Sequence, residues 1–260
     1  MNILDKIIAN KRKEIEQAKQ FCSIAQLERT KYFSRDTISL KQSLKNSTKP
    51  GIIAEFKRKS PSKGIINDYV KVKEVTKGYC EAGAAGLSVL TDEMFFGGKA
   101  EDLHQARINN IPILRKDFMV DEYQIFEAKA WGADVILLIA EALTKEEVLT
   151  LAKLAKSINL DVLMEIHSED QLAKMNPYLD IVGVNNRNLK TFEVSIQTSI
   201  DLFTKIPDDF VKISESGISS VENIKTLYEI GFKGFLIGEN FMKTEVPGIA
   251  CKSFINKLAN

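Results

Sequence analysis

The chain has 260 residues, 44% of them hydrophobic, and its 36 basic and 35 acidic side chains leave a net charge of +1. Acids and bases are interspersed, which excludes the basic footprint of a nucleic-acid binder and the cationic patch of a membrane-surface protein. The length matches one (β/α)8 barrel and is enough to bury a large core, so it does not argue for two domains.

Residues 1–20 carry Ile3, Leu4, Ile7, Ile8, Ile15 and Ala18 at helical spacing, without the apolar core of a signal peptide. Residues 21–50 are more polar, with weaker helical patterning at Ile24 to Leu27 and Ile38 to Leu44, and they stop at the breaker Lys49-Pro50-Gly51. Residues 1–50 read as a helical extension capping one end of a single domain that spans 1–260.

From Ile52 onward, strand-like and helix-like segments alternate, the pattern of parallel βαβ units. Strands are predicted at 52–57, 86–90, 112–116, 134–139, 160–165, 180–185, 211–214 and 234–238. Amphipathic stretches lie near 69–82, 99–109, 121–131, 144–157, 168–175, 195–205, 219–230 and 245–258. Asp121, Thr144 with Glu147, and Ser168 stand where helix N-caps belong, and Gly83, Gly132 and Gly231 suit C-caps feeding the next strand. Eight such units close a barrel. The expected fold class is α/β, a (β/α)8 TIM barrel with an N-terminal helical extension; a doubly wound sheet is the alternative.

The predicted strands end on polar groups, as the strands of a barrel enzyme do. Glu55 and Lys57 stand two apart, so both face the interior, either as a salt bridge closing a strand end or as a catalytic pair. Lys116 shares a face with Leu114 while Arg115 takes the other; in a partly dry pocket beside Glu55 or Glu165 it becomes a proton donor. Glu165 closes the fifth strand. His167 reads as a surface or capping histidine, and His104 as a helix residue outside the chemistry. Arginine is scarce, seven residues against twenty-nine lysines, so Arg187, with Asn185 in the loop after the sixth strand, points to carboxylate or phosphate recognition. Asp92 with Phe95-Phe96-Gly97-Gly98 makes a poor helix and reads as a mobile lid. Ser214-Glu215-Ser216-Gly217-Ile218 and Ile237-Gly238-Glu239-Asn240 have the small residues of a phosphate seat after strands seven and eight, with Ser60-Pro61-Ser62 as a third side. No residue spacing suggests a metal site.

The motifs Ile53-Ala54-Glu55-Phe56-Lys57-Arg58-Lys59-Ser60-Pro61-Ser62-Lys63-Gly64, Leu87 to Asp92 with Phe96-Gly97-Gly98, and Pro112 to Phe118 are joined by three more. These are Gly183-Val184-Asn185-Asn186-Arg187-Asn188-Leu189, Ser214 to Ile218, and Leu236 to Glu239. Through them nearly the whole chain resembles the indole-3-glycerol-phosphate synthases, lyases of tryptophan biosynthesis. The resemblance implies ring closure, decarboxylation and dehydration of 1-(2-carboxyphenylamino)-1-deoxyribulose 5-phosphate, with no cofactor. It implies that Lys116 is the general acid of ring closure and Glu165 the base of dehydration. Lys57 pairs with the substrate carboxylate and Glu55 sits near the sugar hydroxyls. The resemblance also makes Asn185 and Arg187 polar substrate contacts, and the condensation it implies needs an aromatic pocket, which Phe96 and Phe118 can supply. Ser60, Ser216, Gly217, Gly238 and Glu239 form the phosphate cradle, Glu239 through its backbone. The alternatives are another phosphate-binding barrel enzyme, such as phosphoribosylanthranilate isomerase, or a non-catalytic barrel that binds a phosphorylated metabolite. No cysteine falls at a predicted strand end, which speaks against the isomerase's Asp/Cys pair.

Cys22, Cys80 and Cys251 are scattered, without a CxxC pair, and the longest apolar run, Val135 to Ala140, is too short to cross a bilayer. The expectation is a cytoplasmic monomer acting on a small phosphorylated substrate, with no nucleic-acid or membrane partner.

Overall fold

Each of the eight apolar runs forms a strand in the computed structural model, which describes residues 2–259 apart from Leu189, Lys190 and Phe192. The last residue of the fourth motif, Leu189, therefore lies outside the described residues. The strands are β1 Gly51–Phe56, β2 Gly86–Leu90, β3 Ile113–Lys116, β4 Val135–Ile139, β5 Asp161–Ile166, β6 Ile181–Asn185, β7 Val211–Glu215 and β8 Gly234–Ile237. All pair in parallel with their neighbours in chain order, and β1 pairs with both β2 and β8, which closes the barrel. Closure removes the doubly wound alternative, since an open sheet would leave two of its strands with a free edge.

Alternation along the strands sorts the core. Ile53, Leu114, Val135, Leu137, Leu163, Ile181, Ile213 and Leu236 fill the interior. The opposite faces, including Ile52, Leu87, Ile136, Val162 and Phe235, pack outward under the helices. Thr144 and Glu147 form the expected capping box, and Asp121 caps the helix Glu122–Trp131. Gly83, Gly132 and Gly231 adopt the positive φ that lets each preceding helix turn into its strand. The stretch at 168–175 departs from expectation. It is a 3-10 helix, Glu169–Lys174, and the Ser168 side chain makes no cap bond. Gln171 ties the helix back to the end of β5 instead, its Oε1 accepting from the His167 amide at 2.8 Å.

The N-terminal extension covers both ends of the barrel, not one. Helix α1, Ile3–Phe21, starts on an Asn2–Asp5 capping box and crosses the mouth at the carboxyl ends of the strands. After a one-turn helix, α2 at Ile24–Leu27, the chain runs down the side of the barrel. The next helix, α3 at Leu40–Lys45, plugs the opposite end with Leu40 and Leu44, both within the interior cluster. Glycine at the first position of three strands makes room for this plug. A Cβ on Gly51 would stand 2.4 Å from a Leu44 methyl, and one on Gly86 2.8 Å from a Leu40 methyl. One on Gly234 would meet Leu44 at 3.0 Å. Burying each leucine is worth about 2 kcal/mol. Helical periodicity shows which residues of the extension are apolar; it carries no information on which end of the barrel receives them. Among the described residues no helix is long and apolar enough to cross a membrane.

Candidate active site

The side chains picked out by alternation meet at the carboxyl ends of the strands, around one cavity of about 510 Å³. Glu55, Lys57, Ser60, Phe96, Lys116, Phe118, Glu165, Asn185, Arg187, Ser216, Gly217, Gly238 and Glu239 all line it.

On β1, Glu55 points inward and its Oε1 accepts from Lys57 Nζ at 2.7 Å, while Oε2 accepts from Ser88 Oγ at 3.2 Å. Gly238 permits this placement, because a Cβ there would lie 2.6 Å from Glu55 Oε1. Across the cavity, Lys116 at the end of β3 donates to Glu165 Oε2 at 2.8 Å and to Glu215 Oε2 at 3.2 Å. Asn185 Nδ2 donates to Glu165 Oε1 at 2.9 Å, and its own Oδ1 accepts from the Arg187 amide at 3.0 Å.

Glu215 is the functional-site residue that sequence reasoning passed over. Ending the seventh strand at Ser214 left its role unread. The strand runs to Glu215, and the alternation Val211, Ile213, Glu215 turns it inward. It is 2% exposed, and Gly183 opposite provides its space, since a Cβ there would fall 2.4 Å from Glu215 Oε1. His167 is also corrected. Its side chain is 10% exposed, not a surface group, and Nε2 lies 3.3 Å from Glu165 Oε1 without the alignment of a hydrogen bond. Strand alternation stops at Ile166, so periodicity could not place it. His104 is exposed on its helix, beside the Tyr32 ring and away from the cavity.

Two ammonium groups and three carboxylates thus share a space largely shielded from solvent. Burial alone would lower the pKa of Lys116, but the charges of Glu165, Glu215 and Glu55 outweigh it and hold the lysine above its ordinary value. Burial would raise Glu165, yet Lys116, His167 and the Asn185 hydrogen bond pull it below the usual carboxylate range. For Glu215 burial wins, helped by repulsion from Glu165 and Glu55, and its carboxyl is pushed up. One lysine between two carboxylates therefore favours one ionised and one protonatable partner, and the three groups titrate as a set.

Phe96 and Phe118 form the aromatic wall, with ring centroids 5.8 Å apart. The segment read as a lid is one helical turn, Glu93–Phe96. Asp92 Oδ1 caps it by accepting from the Phe95 and Phe96 amides, and Gly97 ends it at φ 67°. The buried cap stabilises a helix that the composition alone disfavours.

Opposite, Ser216 and Gly217 take consecutive positive φ values of 64° and 70° after β7. Asn186 anchors this turn, its Nδ2 donating to Ser214 Oγ at 2.9 Å and to the Ser216 carbonyl at 3.1 Å. Gly238 opens the short helix Glu239–Met242 after β8. The Glu239 carboxylate turns toward Lys63 at 3.6 Å. Ser60 lies on the small hairpin of Lys59–Ser60 with Gly64–Ile65. Ile3, Leu4 and Ile7 of α1 complete the rim.

Known proteins share both the sequence pattern and the fold. Residues 4–254 match the indole-3-glycerol phosphate synthase family. The chain is 48% identical over 258 residues to indole-3-glycerol phosphate synthase from Bacteroides thetaiotaomicron, covering 99% of both chains. It is 44% identical over 254 residues to that of a Polaromonas species, covering 96% of each. Among solved structures, KGPDC from Streptococcus mutans superposes with a TM-score of 0.61 at 13% identity, over 82% of this chain and 98% of that one. The last likeness speaks to the barrel fold alone.

Proposed function

The chain belongs to the indole-3-glycerol phosphate synthase family, decarboxylating lyases of tryptophan biosynthesis, and on that premise we propose how its cavity carries out the reaction. The substrate is 1-(2-carboxyphenylamino)-1-deoxyribulose 5-phosphate, a small phosphorylated compound with an anionic group at each end. Its phosphate sits on the Ser216–Gly217 turn, the Gly238 and Glu239 backbone and Ser60. Its aromatic ring lies against Phe96 and Phe118, its carboxylate against Lys57. Held at both ends, the ring carbon is brought to the ketone, so remote binding energy is used at the reacting centre.

Lys116 protonates the ketone oxygen as the ring carbon attacks, which forms the new carbon–carbon bond. The carboxylate then leaves as carbon dioxide, its bonding electrons passing into the iminium-like ring. In the last step Glu165 removes the ring proton while a lysine protonates the departing hydroxyl, and water is released. The enzyme gives two protons and recovers one through Glu165; the other comes from solvent, matching the charge lost with the carboxylate. Glu55 orients the sugar hydroxyls and Lys57, while Asn185 and Arg187 hold the substrate and Glu165 in register.

The observation that carries this reading is the Lys116–Glu165 contact of 2.8 Å in the same cavity as Lys57 and the Ser216–Gly217 turn. Because Lys116 holds Glu165 ionised, transfer of its proton to the ketone raises the basicity of Glu165 before dehydration needs it. Three free, scattered cysteines accord with a cytoplasmic enzyme, and we place it there as a monomer. Purified protein incubated with the carboxyphenylamino sugar should release carbon dioxide and develop indole absorbance. Protein that does neither refutes the assignment.

A further inference from the structure

Both walls of the aromatic pocket lead back to a single cation on the N-terminal helix. Lys11 is only 4% exposed, and its Nζ lies 3.1 Å from Asp92 Oδ2 and 3.0 Å from Asp117 Oδ1. Asp92 belongs to the loop after β2, and its other oxygen accepts from the Phe96 amide at 3.3 Å. Asp117 follows Lys116 after β3, and the oxygen that meets Lys11 also accepts from the Phe118 amide at 2.8 Å. Each phenylalanine is therefore two polar contacts away from the same ammonium. The other charges nearby are Glu14, which meets Lys11 at 2.6 Å from the same helix, Arg115, which meets Asp117 at 3.1 Å, and Glu127, which meets Arg115 at 3.2 Å. Asp117 thus keeps a second cation if Lys11 is lost, whereas Lys11 is the cation within reach of Asp92 Oδ2 among the described ion pairs.

We propose that Lys11 is a positioning residue for the aromatic end of the substrate, setting the separation of the Phe96 and Phe118 walls by bridging the two loops that carry them. The inference rests on the functional reading above, in which those rings receive the carboxyphenyl group. Two buried carboxylates, 0% and 2% exposed, face one another through the ammonium. Without it they repel across a medium that screens poorly, and the loops part. Burial tends to lower the pKa of Lys11, but Asp117, Asp92 and Glu14 together raise it above the ordinary value, so the bridge stays cationic. The same helix face brings Ile7, one turn earlier, and Leu4 to the cavity rim. The extension thus shapes the pocket from its roof.

The test compares Lys11→Met, Asp92→Asn and the double variant with the wild type. Asparagine at 92 keeps the helix-capping oxygen and removes only the charge. Two binding probes, 2-aminobenzoate for the aromatic end and inorganic phosphate for the other, are measured by calorimetry, alongside steady-state kinetics and thermal melting. Lys11→Met should weaken 2-aminobenzoate and raise KM for the substrate by about tenfold or more, the scale of a reactant held loosely at one end. Phosphate affinity should stay unchanged. Asp92→Asn should move the same parameters in the same direction. The double variant should be no worse than Lys11→Met, because both substitutions cut one link. If Lys11→Met does not fold, Asp92→Asn alone gives the same two-probe comparison. Equal weakening of both probes, additive losses in the double variant, or an unchanged affinity for 2-aminobenzoate would overturn the proposal. The probes are read without turnover, so failure of the wild type to form indole product counts against the functional reading separately.

Discussion

Lys116 and Glu165 stand at the ends of β3 and β5 and meet at 2.8 Å across the apolar interior residues of β4, Leu137 and Ile139. The contact joins an acid directly to a base through one hydrogen bond. Each keeps the other ionised in a place that would otherwise disfavour both charges. Removing either leaves the other buried beside Glu215, which sets up distinct kinetic outcomes.

Lys116→Ala should lower kcat by about a hundredfold or more, the usual contribution of a general acid. Phosphate binding, measured by competitive inhibition, should hold near the wild-type value because the polar contacts of Lys116 go to the Glu165 and Glu215 carboxylates and not to the Ser216–Gly217 turn. A variant changed in KM alone would recast Lys116 as a binding residue.

Glu165→Gln should separate the first half of the reaction from the second. Ring closure and loss of carbon dioxide need the acid, whereas dehydration needs the base. In a single turnover, carbon dioxide release should outrun indole formation. Equal rates of the two would place Glu165 before decarboxylation.

The pH dependence of kcat/KM should carry an alkaline limb from a lysine. Glu165, Glu215 and Glu55 raise Lys116, so the limb lies above the ordinary lysine range, and Glu215→Gln removes part of that support. The limb should therefore move to lower pH in the Glu215→Gln enzyme. An unmoved limb would mean that Lys116 is not the group titrating there, provided that chemistry and not product release limits turnover.

Asp117 should make the fold acid-sensitive. Burial alone would raise its carboxyl, but Lys11, Arg115 and Thr91 lower it from 3.8 to about 2. A carboxyl depressed on folding adds stability that is complete above pH 3.8 and is lost as pH falls through about 2. The shift corresponds to about 2 kcal/mol. Urea denaturation from pH 5 down to pH 2 should show the wild type losing roughly that much more than Asp117→Asn. Parallel curves would show that Asp117 carries no such shift.

Leu44→Ala should cost about 2–5 kcal/mol of stability, as large-to-small changes in a tight core do. Leu44 is fully buried at the end of the barrel opposite the cavity, so KM should hardly change. Lost substrate affinity without lost stability would mean that the plug reaches the active site.

The sequence was legible wherever a period of two governed it. Strand alternation alone set Glu55, Lys57, Lys116 and Glu165 on the interior face, and the structure gathers them around one cavity. It would have added Glu215 had the seventh strand been carried one residue further. His167 was misread because no period constrains a residue just past a strand end. The turn at Glu93–Phe96 was obscured because a single buried cap, Asp92, outweighs an unfavourable composition. The extension was readable as helices, but its destinations depend on where glycines at the starts of β1, β2 and β8 leave room for Leu40 and Leu44.

The plug formed by α3 also imposes an order on biosynthesis. Leu44 leaves the ribosome early, yet its seat includes Gly234 of the last strand, which is made after nearly all the rest of the chain. At 5–20 residues per second the wait is roughly ten to forty seconds. Throughout that interval Leu40 and Leu44 have no barrel to enter, so the earliest-made segment is among the last to find its place.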